Sequence, residues 1–255
     1  MNTLLHHQVT GDGPPLVLAG SIGSTLAMWD PQLPVLAERY RVIRVDHRGH
    51  GRSPVPAGPY TIADLASDVL TVLDHLGESR VALCGLSMGG MVGMWLAAHA
   101  PERISALALL DTSAHMGSEV WAPRIAAVEA GGTASIVDSV MQRWFTPEFR
   151  ERHPDGVARY AAMVADTPDA GYAGCAAAIR DMDLRADLAK ITAPTLVLVG
   201  SDDPATPPAD ARDLADRIAG SRLVVVPGAA HIASAERPDE VNRHLLDHFE
   251  RHVHD

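Results

Sequence analysis

Val81-Ala82-Leu83-Cys84-Gly85-Leu86-Ser87-Met88-Gly89 decides how this chain folds. The opening residues are apolar, as in a parallel strand buried on both faces. From Met88 to about Ala100 the pattern becomes helical. Between strand and helix stands Gly85-x-Ser87-x-Gly89. A serine on so tight a turn is held in a strained backbone conformation that lifts its hydroxyl above the sheet, and side chains two residues to either side would collide. Ser87 is therefore a candidate nucleophile.

Working outward, short apolar runs recur at Leu16-Val17-Leu18, Arg41 to Val45, Leu107 to Leu110, Thr195 to Val199 and Leu223 to Val226. Helical patterns alternate with them. The clearest runs from Thr61 to Leu76, with Ile62, Leu65, Val69, Leu73 and Leu76 on one face, Thr61 and Asp64 placed to cap the start, and Gly77 to stop the end. Strand and helix in alternation predict an α/β fold with a mostly parallel, doubly wound sheet. Residues 112–191 break the alternation, with helical patterns near 120–130, 133–144, 154–165 and 170–181 and no strand. The expected organisation is a core of residues 1–111 and 192–255 with an inserted all-helical lid of residues 112–191. An insertion at the carboxyl ends of strands lies over the crevice where open sheets bind ligands.

Composition narrows the function. The 255 residues are 47% apolar and 21% charged, enough for a sizeable core. No run approaches the ~18 apolar residues of a membrane span, and no signal segment follows Met1, so a soluble, cytoplasmic protein without membrane contact is expected. With 32 acidic against 21 basic side chains, the charge of -11 repels polyanions and argues against a nucleic-acid partner. Cys84 and Cys175 are too few for a disulfide framework or a cysteine-rich metal site, and Cys84 reads as a small core residue. His244, His248 and His252 share a four-residue spacing on the last predicted helix; with no acid completing a site, they read as a solvated face rather than a metal grip. Gly11-Asp12-Gly13-Pro14-Pro15 is a turn and lacks the remainder of a phosphate loop.

A serine nucleophile needs a base, and the base needs a carboxylate. Past the strand ending at Val199 lie Asp202 and Asp203, and past the strand ending at Val226 lies His231. Both loops are at carboxyl ends of strands, in the chain order serine, acid, histidine.

The chain resembles the lid-bearing α/β-hydrolase family from Gly11 to its last helix. That resemblance implies Ser87 as nucleophile, Asp203, directly before Pro204, as the orienting acid, and His231 as base, leaving Asp202 as a turn or cap residue. It implies an oxyanion hole made by the backbone N–H groups of Ile22 and Met88. Asp46-His47-Arg48-Gly49-His50-Gly51-Arg52-Ser53 is similar to the family's D-x-R-G-x-G-x-S loop and is expected to be mainly structural. One departure concerns the oxyanion loop: many relatives have His-Gly where this chain has Gly20-Ser21, which bears on how the loop is supported.

Within the family, Ala27-Met28-Trp29-Asp30-Pro31-Gln32, Gly90-Met91-Val92-Gly93, Arg143-Trp144-Phe145-Thr146-Pro147 and the run from Gly171 to Asp183 resemble 3-oxoadipate enol-lactonases. This implies hydrolysis of a small anionic lactone in aromatic-acid catabolism, with neither metal nor organic cofactor. Such a substrate needs a local cation. Among the arginines of residues 112–191, Arg143 is the first candidate and Arg180 the second, with Trp144 as a pocket wall. A general esterase, a cofactor-free perhydrolase and a non-catalytic ligand receptor are the alternatives on this scaffold, and the oligomeric state stays open.

Overall fold

The apolar runs expected as parallel strands all pair in one sheet in the computed structural model, which describes residues 3–253. Residues 1–2 and 254–255, the outer ends of the expected core, lie outside the described residues. The strands are β1 (His7–Thr10), β2 (Pro15–Ala19), β3 (Arg41–Val45), β4 (Val81–Leu86), β5 (Ile104–Leu110), β6 (Thr195–Gly200) and β7 (Arg222–Val226). Across the sheet they run β1-β3-β2-β4-β5-β6-β7. β1 is antiparallel to β3, and all other pairings are parallel. The edge strand β1 has no counterpart in the sequence reading. It carries one apolar side chain in four residues and is half-buried to exposed, so neither alternation nor an apolar run marks it.

From β2 the chain turns to β3 on one side, then returns to β4 on the other. The crevice at the carboxyl ends of β2 and β4 is the switch point where open sheets bind ligands. β4 is buried along its whole length, β5 almost so, and each buried leucine there stabilises the fold by about 1.5–3 kcal/mol.

The helices of the first half are α1 (Leu33–Ala37), α2 (Ile62–Leu76) and α3 (Met88–His99). α2 starts and stops as its sequence predicts: Thr61 and Asp64 form a reciprocal capping box, and Gly77 closes the end in the left-handed conformation. Between β5 and β6 come α4 (Ser118–Gly131), α5 (Val137–Trp144), α6 (Pro147–Arg152), α7 (Pro154–Ala165) and α8 (Asp169–Asp181), after which follow α9 (Pro208–Arg217), α10 (Ala233–Glu236) and α11 (Pro238–His252). The piece expected at 133–144 is a 3-10 turn, Thr133–Ile136, leading into α5. α6 is an addition: Thr146 caps it by accepting from the Phe149 amide, but its six residues are too few to show a period.

The segment between β5 and β6 leaves and rejoins the sheet through one narrow pairing, an isolated bridge between His115 and Asp183 with Leu184 N–H on Ala114 O at 2.8 Å. It rests on the carboxyl-end loops. Tyr160 donates its hydroxyl to Met28 O at 3.1 Å, Gly171 meets Gly49 backbone to backbone, and Ile232 N–H reaches Trp144 O at 3.0 Å.

The Asp46–Ser53 loop is structural in its bonding. Asp46 accepts from Leu26 N–H at 2.7 Å, Arg52 N–H at 3.0 Å and His6 Nδ1 at 2.8 Å, while Arg48 makes a buried two-point ion pair with Asp68 at 2.5 and 2.7 Å. The histidines of α11 depart from the solvated face expected of them. His248 is buried beside Phe249, and that burial lowers its pKa to about 4; its position puts it on the core side of the helix, with His252 outside. Cys84 is buried as its sequence predicts, Cys175 is buried too, and burial pushes both thiols up.

Candidate active site

Ser87 occupies the turn between β4 and α3 with φ 54° and ψ -116°, a conformation that costs of order 1–3 kcal/mol. Three features hold it there. Its N–H donates to Leu110 O at 2.9 Å, its carbonyl accepts from Thr112 Oγ1 at 2.7 Å, and the flanking glycines make room. A Cβ on Gly89 would run into the Ala19 carbonyl, and one on Gly85 into the Gly89 carbonyl. The close approach of α3 to β2 lets Gly89 N–H reach Gly20 O at 3.0 Å, tying the turn to the loop after β2.

In that loop and at the Ser87 turn, the amides of Ile22 and Met88, both beside the cavity, have no acceptor among the described residues. Their neighbours are all engaged. Ser21 N–H contacts Met28 Sδ at 3.3 Å, Gly23 N–H reaches His50 Nε2 at 2.8 Å, and Ser24 N–H reaches Ser21 O at 3.2 Å.

Asp203 and His231 stand past β6 and β7 and meet: His231 Nδ1 lies 2.9 Å from Asp203 Oδ2. Because the carboxylate accepts, Nδ1 carries a proton, and in the neutral ring Nε2 is then the bare nitrogen. Asp203 is held from three other directions, by Ala205 N–H at 2.8 Å, Thr206 N–H at 3.1 Å and Thr206 Oγ1 at 2.7 Å. Burial pushes its carboxyl up, but His231 and Thr206 outweigh that and hold it below the ordinary carboxylate range. Asp202 is exposed in the turn, bonded through its N–H to Ala229 O, and takes no part.

Ser87 and His231 line one cavity of about 320 Å³ together with Ser21, Ile22 and Thr206. His231 hydrogen-bonds to Asp203 and, among the described residues, not to Ser87. Such contacts are commonly long until substrate is bound. The opposite lining comes from α4 and α5: Trp121, Arg124, Val140, Arg143 and Trp144. Arg143 and Trp144 thus lie where the sequence reading puts them, with Trp144 edge-on to Tyr160.

Arg180 does not. It sits at the outer end of α8, outside the cavity lining, with its guanidinium spent on Asp181 at 2.7 Å through two nitrogens. The helical phase of α8 explains this, since Tyr172, Cys175, Ala176 and Ile179 occupy its buried face. Arg124 takes its place in the lining, stacked over Trp121 at 4.7 Å.

Three further residues escape the sequence reading. Thr206 follows Asp203 at the spacing of a local side-chain cap. Glu236 accepts from Ala230 N–H at 2.7 Å and Thr146 N–H at 2.5 Å, joining the His231 loop to the turn between α5 and α6. Asp111, fully buried at the end of β5 with φ 44°, accepts from Gly200 N–H at 2.8 Å and lies near the Ala233 amide. Burial and the nearby Asp203 charge raise its pKa well above the carboxylate range.

The alpha/beta hydrolase fold family matches residues 14–238. Over 232 residues the chain is 39% identical to 3-oxoadipate enol-lactonase 2 of Acinetobacter baylyi, covering 91% of this chain and 86% of that one. It is 35% identical to a RutD protein of Variovorax paradoxus, provisionally named a carbamate hydrolase, over 97% of this chain and 96% of that protein. The crystal structure of the enol-lactonase from Burkholderia xenovorans LB400 superposes with a TM-score of 0.95 at 41% identity, covering 96% of each chain. No helix among the described residues is long and apolar enough to cross a membrane. The chain belongs to the α/β-hydrolase family and is a hydrolase similar to the 3-oxoadipate enol-lactonases.

Proposed function

We propose that the protein opens 3-oxoadipate enol-lactone, or a closely similar small anionic lactone, by a serine acyl-enzyme mechanism, as a step in aromatic-acid breakdown. One observation carries the reading: the cavity that holds Ser87 and His231 also holds two arginines, Arg124 and Arg143, in a chain of net charge -11. An acidic protein has little other means of receiving a carboxylate.

In this mechanism Ser87 Oγ attacks the lactone carbonyl carbon while His231 Nε2 takes its proton, and Asp203 stabilises the imidazolium. The charge on the carbonyl oxygen develops against the Ile22 and Met88 amides, which have no acceptor among the described residues. The ring C–O bond then breaks. The departing oxygen is an enolate, a weaker base than an alkoxide; it takes the proton back from His231, and the enol becomes a ketone, which disfavours re-closure. His231 next removes a proton from water, whose oxygen attacks the acyl carbon; the bond from that carbon to Ser87 Oγ then breaks, Oγ takes the proton back from His231, and the dicarboxylate product leaves. Arg143, with Arg124 beside it, holds the substrate carboxylate through all steps, Trp144 walls the ring, and residues 112–191 serve as the lid.

The test is an assay of purified protein against the enol-lactone, a neutral aryl ester, a small carbamate, and peroxide with acetate. The expected result is a kcat/KM for the lactone well above the others, abolished in Ser87→Ala. Preference for a neutral ester or a carbamate overturns the substrate, and equal turnover by wild type and Ser87→Ala overturns the mechanism.

A further inference from the structure

Behind the oxyanion loop lies a buried imidazole whose bonding fixes its own protonation. His50 Nδ1 is 3.1 Å from Arg48 O, and a carbonyl only accepts, so Nδ1 bears hydrogen. His50 Nε2 is 2.8 Å from Gly23 N, and an amide only donates, so Nε2 is bare. The side chain is 1% exposed and belongs to the Asp46–Ser53 loop, from which it reaches across to the loop after β2.

Gly23 is the residue after Ile22. Ser24 N–H and Ser24 Oγ both return to Ser21 O, at 3.2 and 2.7 Å, closing a tight turn with Ile22 and Gly23 in its middle. Gly23 has φ 77°, which the third place of a type II turn demands of its residue. A Cβ on Gly23 would touch Tyr172 of α8 and Val164 of α7 at 3.3 Å each, so the helical segment covers one side of it. The Gly23 N–H is held by His50.

We infer that His50 is a positioning residue which, by accepting the Gly23 amide, fixes the far side of the turn while Ser24 holds the Ser21 carbonyl, so that the Ser21–Ile22 peptide between them cannot rotate and its N–H, that of Ile22, stays aimed into the active-site cavity. This rests on the reading of Ile22 as an oxyanion donor. It also answers what supports the loop in a chain that has Gly20-Ser21 there. The donors are backbone groups, and the direction of the Ile22 N–H is set by a side chain from a neighbouring loop together with one within the turn.

The experiment compares wild type, His50→Leu, His50→Asn and His50→Gln. Leucine removes the acceptor, the asparagine carbonyl stops short of Gly23, and the glutamine carbonyl reaches about as far as Nε2. Two quantities are read: kcat and KM for a chromogenic ester, and inhibition by a small alkyl boronic acid, whose tetrahedral adduct with a serine places an oxygen in the oxyanion hole. Losing one such donor costs ~100 to 1,000-fold, so misaiming it is expected to lower kcat by about 10- to 100-fold. KM is expected to stay within about threefold, with boronate affinity falling in step with kcat. Glutamine is expected to restore most of both. A purely stabilising role would lower the melting temperature and leave kcat and boronate affinity unmoved; that result in His50→Leu, or in His50→Asn where the leucine variant fails to fold, overturns the inference. A folded His50→Gln as impaired as its partners also overturns it. Failure of the wild type to bind the boronate or turn over esters removes the serine-hydrolase reading itself, and the inference falls with it.

Discussion

Thr206 donates its hydroxyl to Asp203 Oδ2 at 2.7 Å, the same oxygen that faces His231 Nδ1 at 2.9 Å. The Asp203 carboxylate is therefore shared, and its oxygen cannot swing from the imidazole without giving up a second charge-assisted bond. Thr206→Val removes that bond while keeping the shape. A hydrogen bond to a charged group is worth about 1.5–3 kcal/mol, and part of this is expected in the rate, as a roughly 5- to 20-fold lower kcat with KM little changed. Thr206→Ser is expected to recover most of it.

The same substitution has a signature in acid. Thr206 helps to hold the Asp203 carboxyl below the ordinary carboxylate range, and such a group contributes stability that is present above its unfolded pKa and lost as pH falls through the folded one. Thr206→Val is therefore expected to show its full stability deficit near pH 6 and a shrinking one below about pH 4, where the unfolded carboxyl titrates. Urea unfolding of both proteins across that range checks it. A deficit independent of pH would place the effect of Thr206 in packing alone.

Asp111 has the opposite sign. Its pKa is raised by burial and by Asp203, so in the folded chain it keeps its proton in a range where the unfolded chain has released it. Stability must then fall as pH rises from about 4 through the folded pKa, by up to about 1.4 kcal/mol per pH unit. Asparagine copies a neutral acid: it keeps an oxygen for the Gly200 amide and tolerates φ 44°. Asp111→Asn is expected to leave kcat at neutral pH within about threefold and to gain on the wild type as pH increases. A variant that instead loses activity as severely as Ser87→Ala would show that Asp111 works as an anion.

The legible parts of this molecule are those written in contiguous residues. A strand, a Gly-x-Ser-x-Gly turn and a helix need only nearest neighbours to be recognised, so Ser87 follows from one short stretch, the parallel sheet from the alternation of such runs with helices, and the capping box of α2 from Thr61 and Asp64 alone. Asp203 and His231 required chain order and a family resemblance, because the contact between them joins residues 28 apart. Arg180 was misplaced because an arginine in a polar-to-apolar helix gives no sign of its azimuth until the buried face is known. Glu236 and Asp111 are recognisable only once three loops converge, since each reaches a backbone amide in a distant element. His50 shows its role only when the loop after β2 is laid over it.

The two arginines in the cavity and the one outside it form a matched set of variants. Arg143→Leu is expected to raise KM for the anionic lactone by about 10- to 100-fold, the worth of a charge-assisted hydrogen bond, and to leave a neutral aryl ester unaffected. Arg124→Gln is expected to act in the same direction, with an added contribution from the lost stack on Trp121. Arg180→Ala, which removes only an exposed pair with Asp181, is expected to change neither substrate. Equal loss on both substrates in Arg143→Leu would assign that residue to lid packing instead of charge recognition.

Glu236 gives the last prediction, because its two oxygens accept from the amides of Ala230 and Thr146 and so join the residue before His231 to the turn after Arg143 and Trp144. Glu236→Gln keeps one acceptor but turns an NH2 group toward an N–H, leaving a buried amide unpaired at about 1–3 kcal/mol. A lower melting temperature is expected. The more telling consequence is kinetic, since loosening this link frees the proposed base, His231, and the proposed carboxylate-binding wall together: kcat is expected to fall and KM for the anionic substrate to rise in the same variant. For a neutral ester only kcat is expected to fall, because that substrate makes no use of Arg143. Melting curves and steady-state kinetics on both substrates distinguish this from simple destabilisation, in which kcat and KM measured well below the melting temperature remain at wild-type values.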